Sequence, residues 1–172
     1  MRPTWTIVAI LLLGMPPATA SAAAWRTSVY ETDGFSVAFS GGIKVEPMNL
    51  DENARKNLVR ATMYSQDNGT FWYGVGASLW TADASLNFDD GVSGTMNSYK
   101  CAKTDSDVRS SLPGGSMREI FASGCENAAR IGARFFLRGR WFYQVVYLIS
   151  SDDQADDAKH FLASFKLTPL KV

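Results

Sequence analysis

The stretch from residue 129 to residue 149 constrains the fold most, because it has the pattern of two long strands joined by a tight turn. In its first half the odd-numbered residues are apolar, while the even-numbered positions carry three arginines. Strand side chains alternate between faces, so this half has a core face and an arginine-bearing face. The return half, Trp141–Ile149, is apolar on both parities except at Gln144, which is typical of a strand buried on both sides.

The turn of this hairpin decides which residues lie opposite each other. A two-residue loop at Arg138-Gly139 pairs Arg134 with Tyr143 and Arg130 with Tyr147. A loop shifted by one residue changes these partners but keeps the arginines on the face of the aromatic residues. We expect a structural ladder in which the arginine stems cover the rings. The alternative is a basic-aromatic binding face, with cation–π contacts between Arg and Tyr.

The first 24 residues have the layout of a secretory signal peptide, and we assign residues 1–24 to it and residues 25–172 to a single exported domain. Arg2 precedes an apolar run that ends at Met15, and small residues with Ala-x-Ala patterns follow. Cleavage after Ala20 or after Ala24 fits this layout, and Ala24 is preferred. The predicted location is the periplasm or the exterior, with no transmembrane segment after cleavage.

The charge of the chain argues against a general nucleic-acid binder. Seventeen basic residues face 17 acidic ones, and loss of Arg2 with the signal peptide leaves a slight acidic excess. Cys101 and Cys125 are the two cysteines, and in an exported chain they predict a disulfide bond. Two unpaired buried thiols are the alternative.

The remaining pattern predicts an α+β domain. Strands are expected at residues 25–30, 35–39, 43–46, 59–64, 71–80 and 117–122, in addition to the central hairpin, and helices at residues 86–103 and 152–165. Residues 105–115 are expected to form a loop, with Leu112-Pro113-Gly114-Gly115 as its turn. The expected architecture is a mostly antiparallel sheet of about six to seven strands, flanked by two main helices.

One parity of the strand at residues 71–80 is unusual, because two glycines lie between Trp72 and Trp80. Close packing of a helix on bare backbone explains such a pattern. A groove for a flat or chain-like ligand, flanked by the indoles, is the functional alternative.

No constellation of catalytic residues is evident. His160 is the single histidine, and it falls on the polar side of the last predicted helix. Glu119 lies in a strand near Arg118, where an ion pair is a better explanation than a catalytic acid. We predict no catalytic residue, no metal site and no cofactor, and we keep an envelope hydrolase as the last alternative.

Two short motifs carry a resemblance to a known fold group. The chain opens with Phe35-x-Val37-x-Phe39 before a glycine turn, and it closes with Tyr143-Gln144-Val145, an acidic helix and Phe161-Leu162-x-Ser164-Phe165. This layout resembles small exported bacterial proteins with the Mog1/PsbP-like α/β/α fold, although Ser40 stands where such proteins often have Pro. The resemblance implies an antiparallel sheet flanked by helices and an accessory or partner-binding role.

Taken together, these observations predict a non-enzymatic exported domain that binds a protein partner in the cell envelope. The alternative is a small-ligand or glycan binder that uses the tryptophan-lined channel. The candidate binding residues are Arg130, Arg134, Tyr143, Tyr147, Trp72 and Trp80. The sequence leaves the oligomeric state open.

Overall fold

A computed structural model describes residues 24–50, 52–85 and 87–170. The predicted signal peptide lies outside these residues, apart from Ala24. In chain order the elements are β1 Arg26–Tyr30, β2 Phe35–Phe39, β3 Lys44–Pro47, α1 Glu52–Lys56, β4 Leu58–Asp67, β5 Phe71–Trp80, α2 Phe88–Ser98, β6 Lys103–Leu112, β7 Gly115–Cys125, β8 Ala128–Arg138, β9 Trp141–Ile149, α3 Ala155–Ser164 and β10 Lys166–Leu167. None of the helices in these ranges is long and apolar enough to cross a membrane.

Two antiparallel sheets organise these elements. The larger has seven strands in the order β3-β4-β5-β9-β8-β7-β6, and the smaller has the order β1-β2-β10. The hairpin of β8 and β9 lies in the middle of the larger sheet, which explains why β9 is apolar on both parities. The α+β class and the mostly antiparallel sheet are therefore confirmed.

The central hairpin has the shifted register. Its loop is Gly139-Arg140, so that Arg138 pairs with Trp141, and the register with a loop at Arg138-Gly139 is wrong. Gly139 has a φ of 58°, the positive value that a two-residue hairpin loop needs at its first position. Arg134 is consequently opposite Val145, and Tyr147 is opposite Gly132.

Each face of the larger sheet carries its own apolar core. On the first face, which we call the α3 face, Phe161 and Leu162 of α3 and the buried strand β2 pack on odd-numbered residues of β5 and β9. On the opposite face, which we call the α2 face, Val92 of α2 packs on Ile131, Phe135 and their neighbours. The arginine-bearing side of β8 belongs to the α3 face and is therefore partly covered.

The sequence motifs behind the family resemblance meet in space on the α3 face. The backbone N–H of Ala38 in β2 donates to Ser164 Oγ at the end of α3 at 2.9 Å. The rings of Phe35 and Phe165 stack with centroids 5.4 Å apart, and Phe39 contacts Phe161 at the same distance. Thus the first strand motif and the terminal helix motif form one packing unit.

Three sequence expectations need correction. The helix predicted over residues 86–103 is restricted to Phe88–Ser98, because Lys100 has a φ of 46°, which a helix cannot include. The loop predicted over residues 105–115 is instead the strand β6 and the turn into β7, with Gly114 at a φ of 73°. The helices α2 and α3 have 11 and 10 residues and are smaller than the two main flanking helices expected.

The predicted disulfide bond between Cys101 and Cys125 is present. Cys101 precedes β6, and Cys125 ends β7, so the bond closes the open end of the hairpin formed by these two strands. It also fixes the segment that leads out of α2.

Candidate functional site

The two tyrosines of the predicted arginine–tyrosine face lie inside the protein. Tyr143 has no exposed surface, and its hydroxyl donates to the backbone oxygen of Asp33 at 2.8 Å. Burial raises the pKa of Tyr143 to about 12. Tyr147 is 5% exposed, and its ring lies against the bare backbone of Gly132 in the neighbouring strand. Both side chains belong to the core of the α3 face.

The arginines of the same face are engaged by local partners. Arg134 forms an ion pair with Glu119, and its Nη1 donates to the backbone oxygen of Leu162 in α3 at 3.1 Å. Arg130 is more exposed and pairs with Asp152 at 2.8 Å. These contacts favour the structural ladder over a basic binding face, and they give Glu119 a structural partner.

An open groove of about 470 Å³ remains beside Arg130 and Tyr147 on the α3 face. Lys103 and Lys159 also line it, and they pair with Asp105 at 2.8 Å and with Asp156 at 3.6 Å. The three positive charges of the groove thus each have a neighbouring acid. The groove therefore lacks the excess of positive charge that an anionic ligand would require.

The structure does not bring Trp72 and Trp80 into one channel. They are at opposite ends of β5, about 26 Å apart at the usual strand rise. The ring of Trp72 covers the backbone of Gly74, and Met48 and Met63 approach Gly76. The bare backbone between the two indoles is thus already filled by side chains of the protein.

Trp80 lines a pocket of about 240 Å³ on the α2 face, which we call the Trp80 pocket. It lies between the start of α2 and the segment that connects β3 to β4. Apolar side chains supply most of its wall, and a few polar groups converge on it. The lining residues are Met48, Leu50, Ala54, Leu58, Ser78, Trp80, Ser85, Asn87, Asp90, Gly91, Phe142 and Gln144.

The helix start beside the pocket is built by its own sequence. The Asn87 side chain caps α2 by accepting from the backbone N–H of Asp89 at 3.0 Å and of Asp90 at 3.4 Å. Gly91 allows the helix to approach Phe142, because a Cβ at this position would lie 3.3 Å from the Phe142 ring. The first turn of α2 is therefore fixed against the pocket floor.

Hydrogen bonds orient the polar groups of the Trp80 pocket. Ser78 Oγ donates to the backbone oxygen of Phe142 at 3.1 Å, and Trp80 Nε1 donates to Ser78 Oγ at 3.3 Å. Thr95 Oγ1 donates to the side-chain oxygen of Gln144 at 3.1 Å. Gln144, the single polar interruption of β9, thus lies at the pocket wall together with Trp80, which the sequence indicates as a candidate binding residue.

His160 is exposed on α3, and its ring contacts Trp25 with centroids 4.5 Å apart. Among the residues that the structure describes, no group of three or more His, Cys, Asp or Glu side chains could hold a metal ion.

The features of the Trp80 pocket suit binding of an apolar group, with the rim available for hydrogen bonds.

Comparison with known proteins supports the fold. No family model matches the chain, and no curated protein matches it. The structure is similar to the solution structure of cyanobacterial PsbP (CyanoP) from Synechocystis sp. PCC 6803, with a TM-score of 0.52 and 14% sequence identity. The match covers 90% of this chain and 98% of that chain. At this identity the likeness shows a PsbP-like fold alone.

Proposed function

We propose that this chain is an exported, non-enzymatic domain that binds a protein partner in the cell envelope, and that the Trp80 pocket receives part of that partner. The observation that carries the proposal is the pocket itself. Its wall is mainly apolar, while Gln144, Asn87 and Ser78 supply oriented polar groups. This is the usual composition of a recognition site.

The size of the pocket favours a protein partner over a free glycan or cofactor. Sites for drug-sized ligands usually measure about 300–1,000 Å³, and the Trp80 pocket has about 240 Å³. A space of this size suits one apolar side chain, presented by a partner whose neighbouring residues contact the rim. The anchor of a protein interface typically enters such a pocket.

The adjoining surface extends the contact area. A second depression of about 500 Å³ adjoins the Trp80 pocket and shares Met48, Leu50 and Leu58 with it. Arg55 and Arg60 also line it. Arg60 forms an ion pair with the buried Asp33, so its charge is balanced within the protein. A partner segment that enters the pocket can therefore continue across this depression, past the exposed Arg55.

Two features support export. The N-terminal residues have the layout of a signal peptide, and the disulfide bond fits an oxidising compartment. The periplasm or the exterior is therefore the proposed location.

The proposed flanking helices of the larger sheet are α2 on one face and α3 on the other.

A pull-down with a pocket-filling variant tests the proposed function. Residues 25–172, purified with the disulfide intact, would capture the partner from an envelope extract of the source organism. Ala54→Phe places a ring in the pocket, and Ala163→Phe places the same ring on the exposed side of α3. We expect capture to be lost with Ala54→Phe and retained with Ala163→Phe. Equal capture by both variants would contradict the proposal.

The arginine face can be separated in the same experiment. Arg130→Ala changes the most exposed member of that face without touching the pocket. If this variant loses the partner while Ala54→Phe retains it, the binding site is the arginine face and not the Trp80 pocket.

A further inference from the structure

The strand β6 has a free edge along the whole of one side of the larger sheet. It is the last strand in the sheet order and is hydrogen bonded to β7 on its other side. Ten residues long, it is exposed over most of its length. At the opposite border the sheet ends in β3, which has four residues and ends at Pro47, a residue that discourages further pairing. The long open edge is therefore that of β6.

We infer that β6 pairs with β6 of a second copy of this chain, in antiparallel orientation, about a two-fold axis at Val108. A two-fold axis normal to the sheet keeps each face of the sheet on the same side in both copies, and the interface is then self-complementary. The two larger sheets would become one continuous sheet. Residues that lie opposite each other in an antiparallel pair point to the same face of the sheet, and faces alternate along a strand. An even-numbered residue therefore pairs only with an even-numbered one, and the axis lies midway between the two copies of a single residue.

The charges of β6 select the position of the axis. An axis at Val108 places Asp107 of each copy opposite Arg109 of the other copy, and Ser106 opposite Ser110. An axis at Asp107 or at Arg109 places two like charges directly opposite each other, which is destabilising. Val108 is therefore the central position at which the strand is complementary to itself.

The central side chains of β6 are exposed at the free edge. Val108 is 53% exposed and lies on the α3 face, where it would contact the same residue of the second copy. Arg109 lies on the α2 face, where its side chain is 60% exposed and pairs with Asp89 at 2.9 Å. Asp107 accepts from Arg118 of its own chain at 2.8 and 2.6 Å, and its two oxygens have further acceptor positions. Across the axis the remaining guanidinium donors of Arg109 would join this existing ion-pair network.

The geometry of the strand also permits the register. The single irregularity in the pairing of β6 with β7 lies between Thr104 and Ser106. Pairing about Val108 uses residues 106–110, which lie beyond this irregularity. An extended peptide from another protein could add to the same edge, but the alternation of Asp107, Val108 and Arg109 matches itself, and this favours a second copy.

Sedimentation velocity of residues 25–172 over a range of concentrations tests the inference. Val108→Lys places two like charges on the axis, while Val45→Lys makes the same change at a residue of similar exposure, 55%, on β3. We expect the wild type and Val45→Lys to dimerise with equal affinity, and Val108→Lys to dimerise roughly tenfold more weakly. A monomeric wild type at all concentrations, or a dimer unaffected by Val108→Lys, would overturn the inference.

Cysteine cross-linking checks the register independently of affinity. Opposite residues in an antiparallel pair have Cα atoms about 4.5–5.5 Å apart, within the range for a disulfide bond. Under mild oxidation Val108→Cys should give a covalent dimer and Val45→Cys should not. Equal cross-linking of the two variants would refute pairing through β6. Because β6 contributes no residue to the Trp80 pocket, neither result depends on partner capture.

Discussion

Replacing Arg134 tests whether the arginine-bearing side of β8 is structural. The Arg134 side chain is 30% exposed, it pairs with Glu119, which is 21% exposed, and it donates to the backbone oxygen of Leu162. Arg134→Ala leaves a half-buried carboxylate and a helix carbonyl without their donor. Hydrogen bonds to charged groups contribute about 1.5–3 kcal/mol each, and partial exposure reduces this, so we expect a loss of about 2–3 kcal/mol.

Arg130→Ala is the matched control, because it removes an arginine from the same strand and face. The pair of Arg130 with Asp152 is 52% and 67% exposed, and pairs of this kind contribute less than about 1 kcal/mol. With a urea slope of about 2 kcal/mol per molar, Arg134→Ala should lower the unfolding midpoint by about 1 M. The shift for Arg130→Ala should be less than half as large.

Urea unfolding followed by tryptophan fluorescence measures both midpoints. The double variant with Glu119→Gln shows how much of the Arg134 effect comes from the ion pair, because the two substitutions should then be less than additive. Equal midpoint shifts for Arg130→Ala and Arg134→Ala would refute the structural ladder. They would return the arginines to the set of candidate binding residues.

Three further predictions concern stability. Replacing both disulfide cysteines with serine should lower the free energy of unfolding by about 3 kcal/mol, since the bond joins residues 24 positions apart. A loss of less than about 1 kcal/mol in urea unfolding would contradict this estimate. Gly132→Ala should lower the melting temperature, because the added Cβ would collide with the buried Tyr147 ring. Gly94→Ala in α2, where the added Cβ meets open space, should raise the melting temperature by stabilising the helix by about 1 kcal/mol. Burial raises the pKa values of Tyr73 and Tyr143 from 10.0 to about 12, so the folded state keeps protons that the unfolded state loses. Stability should be intact below pH 10 and fall between pH 10 and 12 by about 1.4 kcal/mol per pH unit for each of these tyrosines. A free energy of unfolding that stays constant between pH 10 and pH 12 would contradict this.

The parts of the fold that could be predicted from the sequence are those in which burial leaves a periodic pattern. The two sides of the β8–β9 hairpin have clear parities, and β9 is apolar on both because a core covers each face. The shared face of Phe161, Leu162 and Phe165 predicts the last helix, and these residues pack into the core.

The parts that could not be predicted are those fixed by tertiary contacts. The strand β6 is an exposed edge, so its residues lack the apolar alternation that marks a half-buried strand. The hairpin register depends on which side of Gly139 the loop falls, a choice that apolar parity alone does not make. The Trp80 pocket combines Met48 and Leu58 with the distant Phe142, and no local pattern in the sequence connects them.

Site-specific photo-cross-linking tests the central claim, that the Trp80 pocket contacts a partner. A photoreactive residue at Ser85, on the rim of the pocket, would be compared with the same residue at Ser93, which is exposed on α2 and does not line the pocket. Both variants would be expressed with the native N-terminal segment in the source organism. We expect a discrete cross-linked product from Ser85 that is absent from Ser93 and disappears when Ala54→Phe is added. Products that form equally at both positions, or that persist with Ala54→Phe, would contradict it.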